Sequence, residues 1–126
     1  MSSFHILVAD DLPVWRVKVR HLLQAYPEWE VTEACDGMEA VQKAAQLHPD
    51  IILLDIGMPI LSGLEAAQQI SKTSPASIIV FLTQHTDSEL MSAARNTGAK
   101  GYVLKANAAT ELLPVIAAAL PNRSPV

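Results

Sequence analysis

Short apolar runs alternate with longer amphipathic segments along the whole chain. The apolar runs have the length of buried strands, and the amphipathic segments repeat their apolar residues with helical spacing. We predict strands over 4–10, 30–35, 51–55, 77–83 and 101–104 and helices over 12–25, 37–47, 63–73, 87–97 and 108–120. Strict alternation with short connections favours a parallel sheet with helices on both faces and right-handed crossovers. The predicted fold class is therefore an α/β three-layer sandwich of five strand–helix units.

Start and stop signals support several of these helices. Asp36, Ser62 and Thr86 are each followed three residues later by a glutamate, which is the capping-box pattern of a helix start. Gly98 suits the left-handed residue just past a helix end. Pro114 conflicts with the last helix, because a proline inside a helix removes one backbone hydrogen bond and clashes with the preceding turn. We therefore expect that helix either to begin later than its periodicity indicates or to kink at Pro114.

Composition bounds the class of protein. The 126 residues suit one domain with a sizeable core, and a chain that is 50% apolar and 17% charged is not disordered. The net charge of -4 gives no electrostatic reason to expect nucleic-acid or anionic-membrane binding. No apolar stretch reaches the roughly 18 residues of a membrane span, and the first residues lack the pattern of a signal peptide. We expect a cytoplasmic protein that binds neither nucleic acid nor membrane through this domain.

Three local features each allow two interpretations. Cys35, the single cysteine, is predicted as a buried or half-buried strand residue in a reducing compartment rather than a reactive thiol. Arg16, Lys18 and Arg20 form either a solvated helix face, which we favour, or a docking patch. Residues 115–120 are apolar on nearly all sides, so either another chain or a missing domain covers them, or their small alanines are harmless in water.

Four of the apolar runs end in polar residues that would meet at one edge of the sheet. The carboxyl ends of parallel strands point the same way, and open α/β sheets bind ligands there. The endings are Asp10 with Asp11, Asp55, Thr83 and Lys105. Adjacent carboxylates repel one another, and a hard cation such as Mg²⁺ removes that conflict. Lys105 and Thr83 could then hold phosphoryl oxygens, and an aspartate there could act as a nucleophile. The four histidines have no ligand spacing, so we expect no zinc site.

Four motifs go further than a generic metal and phosphate site. The stretches ILVADD, PDIILLDIGMPILSGLEA, IIVFLT and NTGAKGYVLK resemble the receiver domain of bacterial two-component response regulators. The resemblance runs over 4–120 and is closest to receivers of the LuxR-type helix-turn-helix (NarL-like) class. It implies a flavodoxin-like (βα)5 sandwich with strand order 2-1-3-4-5. It also implies a receiver domain over 1–121, followed at 122–126 by a tail or the start of a linker to a missing output domain.

The resemblance implies a metal-dependent phosphoacceptor. Asp55 would take a phosphoryl group from a sensor histidine kinase or phosphotransfer protein and would contact Mg²⁺. Asp11 would bind Mg²⁺ directly, and Asp10 would act on it largely through water. Gly57 would contribute its backbone carbonyl to the metal.

The resemblance also implies a switch. Thr83 and Lys105 would bind phosphoryl oxygens, and Tyr102 holds the place of the aromatic switch residue. Movement of the threonine and the ring would remodel the face of the fourth helix, fifth strand and fifth helix, which is also a candidate homodimer surface. Residues 13–15 would lie near the kinase-docking surface, although we favour a core-covering role for Trp15.

Four positions depart from the common pattern of that family. Gly57 carries no side chain over the site, and Gln84 replaces a small residue and could narrow access to the acceptor. His85 lies where the family tunes the attack of water on the acyl phosphate. Ala106 replaces a common proline, and cis bonds without proline are costly, which disfavours the cis peptide often found there. We expect these positions to set the speed of the switch rather than its nature.

The predicted function is a phosphorylation-dependent signalling switch and not an enzyme, apart from self-phosphorylation and autodephosphorylation. We favour the regulatory domain of a DNA-binding transcription regulator over a stand-alone phosphorelay receiver. An aspartyl-phosphate phosphohydrolase is a weaker alternative, because such enzymes carry a second acid two residues after the nucleophile, where this chain has Gly57. A pseudo-receiver that only binds partners is disfavoured by the intact acidic set.

Overall fold

The computed structural model describes residues 4–120, and in that range five strands alternate with five helices. The elements are β1 (His5–Ala9), α1 (Pro13–Leu23), β2 (Glu30–Ala34), α2 (Gly37–Leu47), β3 (Ile51–Leu54), α3 (Gly63–Thr73), β4 (Ile78–Thr83), α4 (Ser88–Asn96), β5 (Gly101–Leu104) and α5 (Ala108–Ala119). Each predicted element is present, with ends within two residues of the prediction. The predicted boundary after residue 121 and the tail at 122–126 lie outside the described residues.

All five strands form one parallel sheet in the order β2-β1-β3-β4-β5, which confirms the predicted topology. In the centre, Ala9 lies opposite both Ala34 and Leu54. Toward the other edge, Leu54 pairs with Phe81 and Thr83 pairs with Leu104. This register aligns the carboxyl ends of the strands, so the residues that follow them gather along one edge of the sheet.

The core has two parts, one on each face of the sheet. Alternate residues of β1 divide between them: Leu7 joins a cluster with α2, α3 and α4, whereas Ile6 and Val8 join a cluster with α1 and α5. Both faces of β3 are buried, as expected for a continuous apolar run in a parallel sheet. This double covering leaves the strand ends as the place where polar side chains converge.

Two of the three predicted helix caps are correct, and one is wrong. Asp36 and Ser62 each accept a hydrogen bond from the backbone N–H three residues later. Thr86 does not cap α4; Asp87 does, and it accepts from the N–H of Glu89 at 2.7 Å. Asp87 suits this position because its carboxylate both satisfies the N–H group and interacts favourably with the helix dipole.

The last helix tolerates its proline. α5 begins at Ala108, as the periodicity predicts, and continues past the exposed Pro114 to Ala119, so the expectation of a later start is wrong. Ile116 is buried in the core, whereas Ala117 and Ala118 are exposed. The outward face of the last turns is therefore made of small side chains.

The predicted burial of Cys35 is also wrong. β2 ends at Ala34, one residue earlier than predicted, and the exposed Cys35 lies in the bend that leads into α2. Its N–H donates to the Glu39 carboxylate at 2.7 Å. Hydrogen bonding to Glu39 and the charge of Asp36 raise the pKa of the thiol, which disfavours a reactive thiolate.

Within the described part of the chain, no helix combines the length and the apolar character that crossing a bilayer requires.

Candidate functional site

A buried cluster of opposite charges lies at the carboxyl edge of the sheet. Asp10, Asp55 and Lys105 follow β1, β3 and β5, and their exposed fractions are 3%, 6% and 5%. The Nζ of Lys105 lies 2.8 Å from Asp10 Oδ2 and 3.1 Å from Asp55 Oδ2. One ammonium group therefore faces two carboxylates. Buried charges need compensation, so the ionised cluster favours a further cation.

The other carboxylate oxygens of the cluster accept from the backbone. Asp10 Oδ1 accepts from the N–H of Leu12 at 3.0 Å, and Asp55 Oδ1 accepts from the N–H of Ile56 at 2.7 Å. Burial raises the pKa of Asp10, although the hydrogen bond from Lys105 opposes this. Burial acts to lower the pKa of Lys105, but Asp10 and Asp55 outweigh it and leave that pKa raised. The ammonium group is thus held in its charged form.

Asp11 completes a set of oxygen donors suited to a metal ion. It is half-buried, and one carboxylate oxygen from each of Asp10, Asp11 and Asp55 lies within 4.8 Å of the others. An all-oxygen set of this kind fits a hard divalent cation better than a softer one. Both predicted acidic positions after β1 are therefore brought beside the aspartate after β3.

Thr83 and Gly57 are both close to His85. Thr83 ends β4 and is fully buried, and its Oγ1 accepts from the N–H of His85 at 3.4 Å. A Cβ atom added to the exposed Gly57 would lie 3.1 Å from His85 Nε2. The imidazole therefore covers the segment just after Asp55, and the missing side chain at Gly57 makes room for it. Gln84, between Thr83 and His85, is exposed.

Tyr102 is joined to the same loop. Its hydroxyl donates to the backbone carbonyl of His85 at 2.9 Å, and its half-buried ring packs against Phe81. Burial raises the pKa of the Tyr102 hydroxyl, with smaller contributions from nearby carboxylates, so this group is a neutral donor. Tyr102 also lines a pocket of about 540 Å³ between α4 and β5, together with Met91 and Arg95. His85 is thus held by Thr83 from one strand and by Tyr102 from the next.

The α1 side of the site contains two contacts that the sequence does not predict. The ring centroid of Trp15 lies 5.0 Å from Lys105 Nζ, while Trp15 also packs against the core cluster on this face. Arg16 donates to the Asp10 carbonyl at 2.7 Å and to the Glu33 carboxylate at 3.0 Å. Both residues lie near the start of α1, beside the site. That position in the sequence is the feature that could have indicated these two contacts. Val14, in the predicted docking region, is exposed.

The predicted basic helix face is therefore only partly solvated. Lys18 and Arg20 are exposed, as the favoured interpretation requires, but Arg16 is half-buried. Arg20 also donates to Glu33, at 2.9 Å. Partial burial acts to raise the pKa of Glu33, but the hydrogen bonds from Arg20 and Arg16 lower it below its usual range. The ion pairs of Glu33 with Arg16 and Arg20 thus connect β2 to α1.

Residue 106 lies in a short 3₁₀ turn at Lys105–Asn107, between β5 and α5. Ala106 is exposed, and the peptide bonds of the described residues are all trans. The lysine thus follows directly from the strand end without a proline to fix the turn.

Sequence comparisons match the chain to a known protein family. Residues 6–117 match the family of the response regulator receiver domain. The transcriptional regulatory protein LnrK of Bacillus subtilis is 37% identical over 112 residues, which are 88% of this chain and 51% of that protein. A protein-glutamate methylesterase/protein-glutamine glutaminase of Methanosarcina acetivorans is 42% identical over 82 residues, which are 64% of this chain and 24% of that protein. The chain spans between about a quarter and a half of these relatives.

Comparisons of structure agree as well. A two-component response regulator of the LuxR family from Aurantimonas sp. SI85-9A1 superimposes with a TM-score of 0.88 at 34% identity, covering 98% of this chain and 89% of that one. The response regulator domain of Thermotoga maritima CheB gives a TM-score of 0.86 at 31% identity, covering 94% of this chain and 96% of that one. The fold and the LuxR-type resemblance predicted from the sequence are confirmed. The chain belongs to the response regulator receiver domain family, as a receiver of the NarL-like class.

Proposed function

We propose that Asp55 is the phosphoacceptor of this receiver and that its phosphorylation switches the surface formed by α4, β5 and α5. The observation that carries the proposal is the buried contact of Lys105 with Asp55 at 3.1 Å, beside two more carboxylates. A carboxylate oxygen of Asp55 forms a bond to phosphorus while the bond from phosphorus to the donor's leaving atom breaks, and that atom keeps the electron pair. The donor in the cell is a phosphohistidine of a sensor kinase or phosphotransfer protein.

The acidic cluster is proposed as a Mg²⁺ site. Asp11 and Asp55 would bind the ion, Asp10 would act on it through water, and the carbonyl of Gly57 would complete the protein ligands. When bound, Mg²⁺ neutralises charge on the phosphoryl oxygens. The convergence of three carboxylates, two of which share a single ammonium group, supports this assignment.

Lys105 and Thr83 are proposed to bind the phosphoryl oxygens. Lys105 already contacts the acceptor, so a small movement brings its N–H groups to a phosphoryl oxygen. Thr83 Oγ1 now accepts from His85, and turning its hydroxyl toward a phosphoryl group would release that N–H. Since Tyr102 holds the carbonyl of the same residue, release of His85 frees the Tyr102 ring to move. A local charge event thereby changes a distant surface.

The output is proposed as control of transcription. The LuxR-family structure and the regulatory protein LnrK support a receiver that precedes a DNA-binding domain, with 1–121 as the receiver and 122–126 as its tail or linker. The face of α4, β5 and α5 is a candidate homodimer surface, and residues 13–15 would lie near the docked kinase. A stand-alone relay remains the second candidate. The methylesterase relative offers a third candidate, a receiver attached to an enzyme. The receiver itself is proposed as non-enzymatic and cytoplasmic, and the absence of a second acid at position 57 disfavours a phosphohydrolase.

The decisive experiment is incubation of the purified chain with Mg²⁺ and a small acyl phosphate, read by intact mass. We expect a gain of one phosphate in the wild type and none in Asp55→Asn. Asp87→Asn is the matched control, because this exposed aspartate caps α4 and asparagine caps equally well. It should gain phosphate like the wild type. No gain in the wild type, or an equal gain in Asp55→Asn, would refute the proposal.

A further inference from the structure

The indole of Trp15 lies against the ammonium group that serves the acceptor. The distance of 5.0 Å from Lys105 Nζ to the ring centroid is within the range of cation–π attraction. Lys18 Nζ lies 4.9 Å from the same ring, but Lys18 is exposed and Lys105 is buried. Water weakens the attraction least where the cation is buried. Lys105 is therefore the cation for which the ring matters.

The Trp15 ring makes a kind of contact with Lys105 that the carboxylates cannot make. Asp10 and Asp55 each accept from Lys105 at a fixed oxygen, whereas an aromatic face attracts a cation without fixing the direction of any N–H bond. Lys105 must turn from the Asp55 oxygen to a phosphoryl oxygen as the acceptor is modified. A pocket of about 190 Å³, lined by Trp15, Lys105 and Ala108 among others, borders this contact, so the side chains around Lys105 are not tightly packed there.

We propose that Trp15 is a positioning residue for phosphorylation: its ring holds the Lys105 ammonium group over the acceptor while leaving it free to change partner. This inference rests on the proposed function of Asp55. The competing explanation is that Trp15 only fills space against the core cluster shared by α1 and α5. Leucine and phenylalanine both fill space at this position, but only phenylalanine has an aromatic face.

The test compares initial rates of phosphorylation by a small acyl phosphate at saturating Mg²⁺ and donor. Trp15→Leu should lower the rate about tenfold, the effect expected of a desolvated cation–π contact, and Trp15→Phe should recover most of it. Thermal unfolding of both variants reports packing separately. An unchanged rate in Trp15→Leu, or equal losses in the two variants, would overturn the proposal.

A second measurement reads the emission of Trp15 itself, so its main result does not depend on the folding of Trp15 variants. The other tryptophan, Trp29, stacks on Tyr26 at the amino end of β2, far from the acceptor edge. In Trp29→Phe, the remaining Trp15 emission should change when Mg²⁺ and beryllium fluoride, a phosphoryl mimic, are added. In Trp15→Phe, the emission of Trp29 should stay constant. A constant Trp15 emission at saturating mimic would contradict the proposal.

Failure of the Asp55 assignment can be distinguished from failure of the Trp15 proposal. A wild type that gains no phosphate by mass refutes the assignment of Asp55. A wild type that gains phosphate, together with a Trp15→Leu variant that gains it equally fast, refutes only the role of Trp15.

Discussion

Buried polar side chains occur at both ends of the sheet, and the two groups are satisfied differently. Ser74 lies near the amino end of β4, where its hydroxyl is 2.7 Å from Ser77 Oγ and 3.1 Å from His48 Nδ1. Ser77 in turn donates to the carbonyl of Pro49. The bonds to His48 and Pro49 join the connection before β4 to the one before β3, so the group holds these two loops together.

The carboxyl-end group is more completely buried and has a different charge balance, since Ser77 of the amino-end group is half-buried and His48 is exposed. Asp10, Asp55 and Lys105 are ionisable side chains, and two carboxylates face one ammonium group. Hydrogen bonding satisfies the individual atoms, but the cluster as a whole keeps a negative charge that only a further cation or a proton can balance. A buried polar group therefore becomes a binding site when its charges do not cancel, whereas a neutral group stabilises the fold.

The largest effect should come from removing Lys105, the one buried cation among residues 4–120. Lys105→Met leaves two buried carboxylates face to face, and we expect the free energy of unfolding to fall by about 3 kcal/mol without divalent ions. Added Mg²⁺ should restore part of this loss, because binding to the native state stabilises it. Chemical denaturation with and without MgCl₂ measures both effects.

Asp10→Asn is the matched variant for that prediction. It removes one of the two negative charges and leaves Asp55 paired with Lys105, so it should destabilise the protein far less than Lys105→Met or even stabilise it. Equal losses in the two variants would show that charge balance does not govern this cluster.

A smaller effect should come from the amino-end group. Ser74→Ala removes a buried hydroxyl from two hydrogen bonds, and we expect a loss of about 1–2 kcal/mol. Since no net charge is involved, the loss should be the same with and without Mg²⁺, and phosphorylation by a small acyl phosphate should be unchanged. Ser71→Ala, on the exposed side of α3, should have almost no effect on unfolding. If the loss of unfolding free energy in Ser74→Ala depended on Mg²⁺, the amino-end and carboxyl-end groups would not differ in the way proposed.

The carboxyl-end group could be predicted from the sequence because a topological rule places it. Once the apolar runs are assigned to parallel strands, the residues that follow them must meet at one edge, whatever their side-chain conformations. Asp10, Asp11, Asp55 and Lys105 are therefore brought together as predicted, and Thr83 is buried at the end of β4. Their roles in phosphorylation stay predictions.

Contacts that depend on rotation of a helix or on a single residue of register are not predictable in this way. The Trp15 ring reaches Lys105 because of how α1 is rotated against β1 and α5, and the His85 ring lies over Gly57 because of the course of one loop. Cys35 is exposed because β2 ends one residue early, and Asp87 rather than Thr86 caps α4 although either residue type is suited to it.

The smallest of the predicted effects tests whether burial, rather than charge alone, sets the carboxyl-end group apart. Glu33 also lies near this edge and also pairs with cations, Arg16 and Arg20, but it is partly exposed. Water screens such pairs, so Glu33→Gln should lower the free energy of unfolding near pH 7 by less than about 1 kcal/mol. The exposed Glu30 provides the matched control, and Glu30→Gln should have no measurable effect.

The dependence of the Glu33→Gln effect on pH has a definite sign. The arginines lower the pKa of Glu33 in the folded protein, so the unfolded chain binds its proton more tightly than the native state does. The stabilisation is complete above the pKa of the unfolded chain and is lost as the pH falls through the lower, folded value. Denaturation at several pH values should therefore show the wild type and Glu33→Gln converging in acid. A difference that persists in acid, or that matches the Lys105→Met loss in size, would mean that exposure does not separate this ion pair from the buried cluster.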